Sequence, residues 1–207
     1  MKEYPKGNEK LLTMISNGYF EKSFADEVLK DVDLNAAIAD LNGFSTTYLY
    51  EAVDANNLQA VSYFLDHGAD PNLYNEDLIC RCALWELQYL WDDGDWKTRY
   101  EIAKLFFQHG ADPNIECGGE SLYDFVMYKI FNDLPDDEND FMNLRRLYVL
   151  LIVYGGGRDE GVYPKPRLNN VDRSRVDDYD VILIPQPDNY HLVGKLIDKD
   201  DTVVGDL

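Results

Sequence analysis

The chain has 207 residues, 45% of them apolar and 13% aromatic, ample for a continuous core in one ordinary domain or in a short array of units. Its formal charge is −20, of which −17 falls on residues 1–160 and −3 on the remainder. Such a field disfavours nucleic acid and anionic membrane as partners, keeps a protein in solution and speeds encounter with a basic partner.

The N-terminal residues Met1-Lys2-Glu3-Tyr4-Pro5 open no apolar run of signal-peptide length, and the longest apolar run, residues 147–154, is too short to cross a bilayer. A cytoplasmic protein is expected. Leu11, Leu12 and Ile15 begin a first helix, Asn17-Gly18 makes a turn, and Phe24, Ala25, Val28 and Leu29 carry a second helix before Asp33 and Asn35. The next unit is clearer. Thr47 can cap a helix whose Leu49, Ala52 and Val53 share a face, Asn56-Asn57 offers a turn, and Val61, Phe64 and Leu65 form an i, i+3, i+4 stripe. That helix should end at Gly68 in the left-handed C′ conformation, and Asp70-Pro71-Asn72 follows as a turn in which Asn72 tolerates positive φ.

The hexapeptide His67-Gly68-Ala69-Asp70-Pro71-Asn72 returns letter for letter as His109-Gly110-Ala111-Asp112-Pro113-Asn114, 42 positions later. A period in this range marks stacked repeats, whose units cannot bury their apolar faces alone. The third unit opens at Asp77 as a cap, runs through Ile79, Cys82, Ala83, Trp85 and Leu87, and closes with Ile102, Phe106 and Phe107; it is 12 residues longer than its predecessor. The surplus is placed between its helices, around residues 91–96. A fourth unit has Leu122, Phe125 and Val126, an acidic loop over residues 134–140, then Leu147, Tyr148, Leu151 and Ile152. Beyond Gly161 the chain turns irregular. Residues 181–184 and 191–197 read as two strands of a hairpin that packs on the last repeat, with a floppy tail as the alternative.

Thr47-x-Leu49-x-x-Ala52 followed by Gly68-Ala69-Asp70-x-Asn72 resembles the ankyrin repeat, whose pattern is T-P-L-H-x-A, a helix pair, and then G-A-D-x-N leading into a β-turn finger. Tyr48 stands in place of the family's proline and Tyr50 in place of its histidine. The resemblance implies an all-α fold, an ankyrin-type helical-repeat solenoid of about four helix pairs. It places repeats over residues 1–160, as a degenerate N-terminal cap at 8–36 and units at 37–73, 74–115 and 116–160. A non-repeat extension over 161–207, with a short β-hairpin as a cap, completes the chain.

No catalytic chemistry is legible. G-x-S-x-G, H-E-x-x-H, G-x-x-x-x-G-K-[ST] and a strand-linked G-x-G-x-x-G are all missing. His67 and His109 sit just before the capping glycines, where the helix dipole favours a polar residue. Cys80, Cys82 and Cys117 are odd in number, and on a helix the C-x-C pair would point about 200° apart, so buried thiols are expected and no disulfide or metal site. The acidic cluster at Asp198, Asp200 and Asp201 fails the EF-hand pattern, since Val203 stands where that loop needs glycine. No cofactor and no metal are expected, and the chain reads as a non-enzymatic protein.

Partner-binding candidates follow from the resemblance: Tyr74, Asn75 and Glu76 at one finger, Glu116 at the next, and Arg81, Trp85, Tyr123 and Tyr128 on the first helices that line the concave side. Tyrosine and tryptophan carry much of the energy of protein interfaces. Asp92, Asp93, Asp95, Asp136, Asp137, Glu138 and Asp140 form two acidic loops that suit a basic protein. The expected function is a protein–protein interaction module, monomeric, holding a basic protein partner and no nucleic acid or membrane. Small acidic chains of this kind resemble bacterial ankyrin proteins that serve as immunity partners of toxins, basic nucleases among them. A structural protein that self-associates through the C-terminal hairpin is the further alternative.

Overall fold

The computed structural model describes residues 7–74, 82–93, 96–117, 119–132, 138–157, 165–185 and 192–206. They belong to two compact units, Met1–Ala111 and Asp112–Leu207.

The first unit is built from helix pairs. Helices α1 (Asn8–Ser16) and α2 (Lys22–Leu29) are followed by a two-stranded ribbon, β1 (Ile38–Ala39) and β2 (Ser45–Thr46), and then by α3 (Tyr48–Asp54) and α4 (Leu58–Asp66). A 3-10 helix, Ala83–Asp93, and α5 (Trp96–Gln108) complete it. Helix α3 begins where Thr47 Oγ1 accepts the Tyr50 N–H at 3.1 Å and ends at Asp54; beyond it Asn56 has φ 51° and the Asn57 N–H reaches back to the Ala52 carbonyl at 2.9 Å. Asn57 then caps α4 through Ala60 N–H at 3.1 Å, and its Nδ2 donates to the Ile15 and Tyr19 carbonyls of the preceding pair at 3.2 and 3.3 Å. One side chain therefore starts a helix and ties it to the repeat before.

Both predicted C′ glycines are left-handed, Gly68 at φ 92° and Gly110 at φ 87°. Each closes its helix the same way, with Ala69 N–H on the Phe64 carbonyl and Ala111 N–H on the Phe106 carbonyl, both at 2.9 Å. Leu11, Ile15, Ala52, Val53, Val61, Phe64, Ile102 and Phe106 are fully buried. At about 1.5–3 kcal/mol for each large side chain removed from water, this seam between pairs is the main driving force for the unit. Helix α3 packs on α1 and on the 3-10 helix, and α4 on α5, so the pairs lie side by side.

Tyr48, where the family has proline, is fully buried, and its hydroxyl donates to Asn8 Oδ1 on α1. The ring stacks on Phe64 at 5.7 Å, and burial pushes its pKa up to about 12. The departure from the family pattern thus becomes a tie between two repeats.

The third unit differs from expectation. The surplus residues that are described do not form an extended connection: Ala83–Asp93 is wound as a 3-10 helix, and Trp96, buried, is already the first residue of α5. Leu84 and Leu87, both buried, recur at a spacing of three, the period of a 3-10 helix. Asp77, the expected cap, lies outside the described residues.

The second unit opens with a short ribbon, β3 (Glu116–Cys117) and β4 (Glu120–Ser121), followed by α6 (Leu122–Asn132) and α7 (Glu138–Val153). Ser121 and Asp124 cap α6 reciprocally: Asp124 Oδ2 accepts from the Ser121 N–H and hydroxyl at 3.1 and 2.8 Å, and Asp124 N–H donates to Ser121 Oγ at 3.1 Å.

An all-α description is too narrow for this unit. Beyond α7 come β5 (Arg167–Leu168), a 3-10 helix (Arg173–Asp178), β6 (Asp180–Pro185), β7 (Leu192–Ile197) and β8 (Val203–Asp206), and the strands form one antiparallel sheet in the order β5-β8-β7-β6. The expected hairpin is β6–β7, and β8 and β5 extend it. Asp198, in the cluster weighed for calcium, instead closes the β7–β8 turn, its Oδ1 accepting Asp200 and Thr202 N–H at 3.0 and 2.9 Å; those bonds, the Thr202 one foremost, hold its pKa below the usual range. The sheet packs on α7, where Arg145 donates to Asp180 Oδ1 at 2.8 Å and to the Val181 carbonyl at 2.6 Å. Val181 and Leu196 are buried.

Candidate protein-binding surface

The roots of the fingers are set by the D-x-N triplets. In each, the aspartate carboxylate accepts the N–H of the asparagine two residues on: Asp33 from Asn35 at 3.0 Å, Asp70 from Asn72 at 2.8 Å, Asp112 from Asn114 at 2.9 Å. Held this way, the asparagine carboxamide reaches the next repeat. Asn35 Nδ2 donates to the Gly68 carbonyl at 3.3 Å while its Oδ1 accepts Asp70 N–H at 2.8 Å, and Asn72 Nδ2 donates to the Gly110 carbonyl at 2.9 Å. In the second unit Asn114 does the same with the Gly155 carbonyl, 3.1 Å, and the Gly157 N–H, 2.9 Å. Asn72, which would tolerate positive φ, does not adopt it here. Its work is done by the side chain, which satisfies a carbonyl left over at the end of the neighbouring helix.

The first finger was not anticipated from the sequence. Ile38 and Thr46, paired in the ribbon and both buried, anchor it. Asp40 Oδ1 accepts the Asn42 and Phe44 N–H groups at 2.9 and 2.7 Å, and Asp40 N–H donates to the Phe44 carbonyl at 2.8 Å. On this locked turn Leu41 is 48% and Phe44 55% exposed. Two large apolar side chains held in water by a rigid hairpin are the kind of anchor that interfaces use. The available signal was Asp40-Leu41-Asn42-Gly43-Phe44, turn chemistry that leaves its two apolar residues no helix face to join.

Beside it, Glu51 on α3 is half-buried. Burial raises its pKa first, the charges of Asp40 and Asp54 push the same way, and a hydrogen bond with Thr46 opposes them. The cleft between the finger root and the first helices, lined by Leu34, Tyr50, Leu73 and Ala83 among others, has a volume of about 10 Å³, the space of one water. The cleft is too small to enclose a side chain. A wider groove of about 280 Å³ runs by α2 and α4, but two of its polar groups are already engaged: Tyr63 hydroxyl donates to Asp26 Oδ1 at 2.8 Å and His67 Nδ1 lies 2.7 Å from the Tyr63 carbonyl. His67 stacks on Tyr63 at 3.9 Å, and His109 Nε2 lies 3.5 Å from Asp66 Oδ1. Both histidines serve the scaffold. Among the described residues, no group of three or more His, Cys, Asp or Glu is placed to hold a metal, and no helix is long and apolar enough to cross a membrane.

Of the candidates named from sequence, Tyr74 is 41% exposed and Trp85 half-buried, both in the unit Met1–Ala111. In the other unit Glu116, Tyr128 and Glu138 are exposed and Asp140 is half-buried. Tyr123 is a correction: it is 1% exposed, packs at 6.3 Å from Tyr148, and burial pushes its pKa up to about 12, so it belongs to the core. Asp92 and Asp93 fall on the last turn of the 3-10 helix Ala83–Asp93 and not on a loop. Asn75, Glu76, Arg81, Asp95, Asp136 and Asp137 lie outside the described residues.

No curated protein matches the sequence. Residues 46–76, from the end of the first finger through α3 and α4 to the start of the next finger, match the family model of the ankyrin repeat. Repeats of this family generally mediate protein–protein interaction and are typically non-enzymatic. By that match residues 46–76 are an ankyrin repeat, and the same asparagine-to-glycine bonds join its helix pair to the pairs before and after it.

Proposed function

We propose that the chain is a non-enzymatic, cytoplasmic protein-binding module, an ankyrin-type solenoid of about four helix pairs that takes one basic protein partner on its fingers and first helices. The rigid first finger with Leu41 and Phe44 in water carries this reading. Tyr74, Asn75, Glu76, Arg81, Trp85, Glu116 and Tyr128 are the further contact residues. The charge of −20 supplies long-range attraction for a cationic surface. A neutralising role toward a basic toxin such as a nuclease is the form that the charge favours, because carboxylates can occupy the place of substrate phosphates.

The test is co-purification from the native cell. The expected result is a basic protein, retained at low salt and released at about 0.5 M, where the screening length falls to a few ångströms. Recovery of an acidic partner, or of none, overturns the proposal. The second reading, self-association through the sheet, has one observation in its favour: β6 is an edge strand whose Ile182 is 47% exposed. It predicts a mass that rises with concentration, whereas the binding module stays a monomer.

A further inference from the structure

We propose that the first finger and helix α3 together dock a cationic, amphipathic segment of the protein partner, its apolar side chain seated against Leu41 and Phe44 and its Lys or Arg against Glu51 and Asp54. This deepens, and rests on, the reading of the chain as a protein-binding module.

Three observations carry it. The apolar pair is solvated on four consecutive exposed residues, 41–44, and the turn beneath is pinned through Asp40 at both ends. Little ordering entropy remains to be lost there on binding, which is the property that converts contact into affinity. The finger is also attached rigidly to the unit, through buried Ile38 and Thr46 and through the ribbon register. Finally, Glu51 of α3 faces the finger, where it is hydrogen-bonded with Thr46 of β2. Asp40 and Asp54 each repel the charge of half-buried Glu51, which burial already disfavours. A cation placed there removes that repulsion, and a neutral or anionic segment does not. An apolar anchor on the same turn as Asp40 and near Glu51 fits a ligand that carries an apolar and a cationic group at adjacent positions.

The experiment is a titration of the isotope-labelled full chain with synthetic peptides, read by amide chemical shifts. One peptide alternates Lys and Arg with Leu and Phe; a second has the cations replaced by Glu and Asp; a third keeps the cations and replaces Leu and Phe by Ser. The first peptide is expected to shift residues 40–44 together with 51 and 54, and the other two to bind at least about tenfold more weakly. Leu41→Ser combined with Phe44→Ser should remove that preference and leave the remaining spectrum in place, since both side chains are exposed. Glu51→Gln with Asp54→Asn should remove the advantage of the cations alone. Shifts centred elsewhere, or equal binding of the third peptide, overturn the assignment. If the Leu41→Ser, Phe44→Ser chain captures a basic protein from cells as fully as the native one, the docking site is wrong while the binding-module reading stands. If the native chain captures none, that reading fails.

Discussion

Gly68 and Gly110 separate backbone strain from packing unusually well. A β-carbon added at either would meet no atom within 4 Å, so alanine there has room and its whole cost is that of a left-handed φ. Each substitution should destabilise by about 1 kcal/mol or more in urea unfolding. Equal stability of both variants would remove the C′ assignment. Tyr48 makes a second prediction at this scale. Its folded-state pKa of about 12 lies above the unfolded value of 10.0 because burial disfavours the phenolate. Tyr123 is shifted to about 12 for the same main reason. A raised pKa means stability that is complete below pH 10 and is lost as pH climbs through the folded value. Unfolding by base should therefore set in between pH 10 and 12, and Tyr48→Phe should blunt the Tyr48 part of that loss at the cost of its bond to Asn8. A stability profile flat to pH 12 would contradict the burial of these hydroxyls.

At the scale of elements, the caps decide where helices begin. Thr47 and Ser121 each satisfy an N–H that the helix leaves unpaired, so Thr47→Ala and Ser121→Ala should each cost about 1 kcal/mol, measured as a shift of the denaturation midpoint at unchanged slope. Thr47 was legible as a cap because the stripe Leu49, Ala52, Val53 follows it at helical spacing. The C′ glycines were legible because a hexapeptide recurs around them. The finger over residues 38–46 was not, since strands of two residues carry no period. The 3-10 helix was missed because Leu84 and Leu87 repeat every three residues, a spacing shared with an α-helix, and because acidic residues beyond them suggest a loop. Strand β8 was missed because four residues containing Gly205 carry too little strand signal and complete a sheet only through pairing with β7 and β5. The resemblance puts Tyr123 on a first helix lining the concave side, but tyrosine serves cores and interfaces alike and only packing against Tyr148 separates them. The asparagine ladder was hidden in plain view. The D-x-N triplet was read as turn chemistry, which it is, but its bond to the following repeat's glycine carbonyl depends on a neighbour some 40 positions away.

For the whole molecule the charge sets the terms. Residues 1–111 and residues 112–207 carry −10 each, so neither compact unit compensates the other. Like charges on a folded chain repel, and salt weakens that repulsion. Added sodium chloride should therefore raise the thermal midpoint of the free protein over the range in which the screening length shrinks from about 30 Å to about 5 Å. The same salt should weaken capture of a basic partner, because there the screened interaction is attractive. The two responses have opposite signs and one cause, and they can be measured on one preparation by thermal unfolding and by retention on the captured partner. A chain whose stability falls with salt would be held together by surface ion pairs and not by the apolar seam of Leu11, Ile15, Val53, Phe64 and Phe106. A partner whose retention ignores salt would be bound through apolar contacts such as those of Leu41 and Phe44 alone, and the acidity of the chain would then serve its solubility and not its recognition.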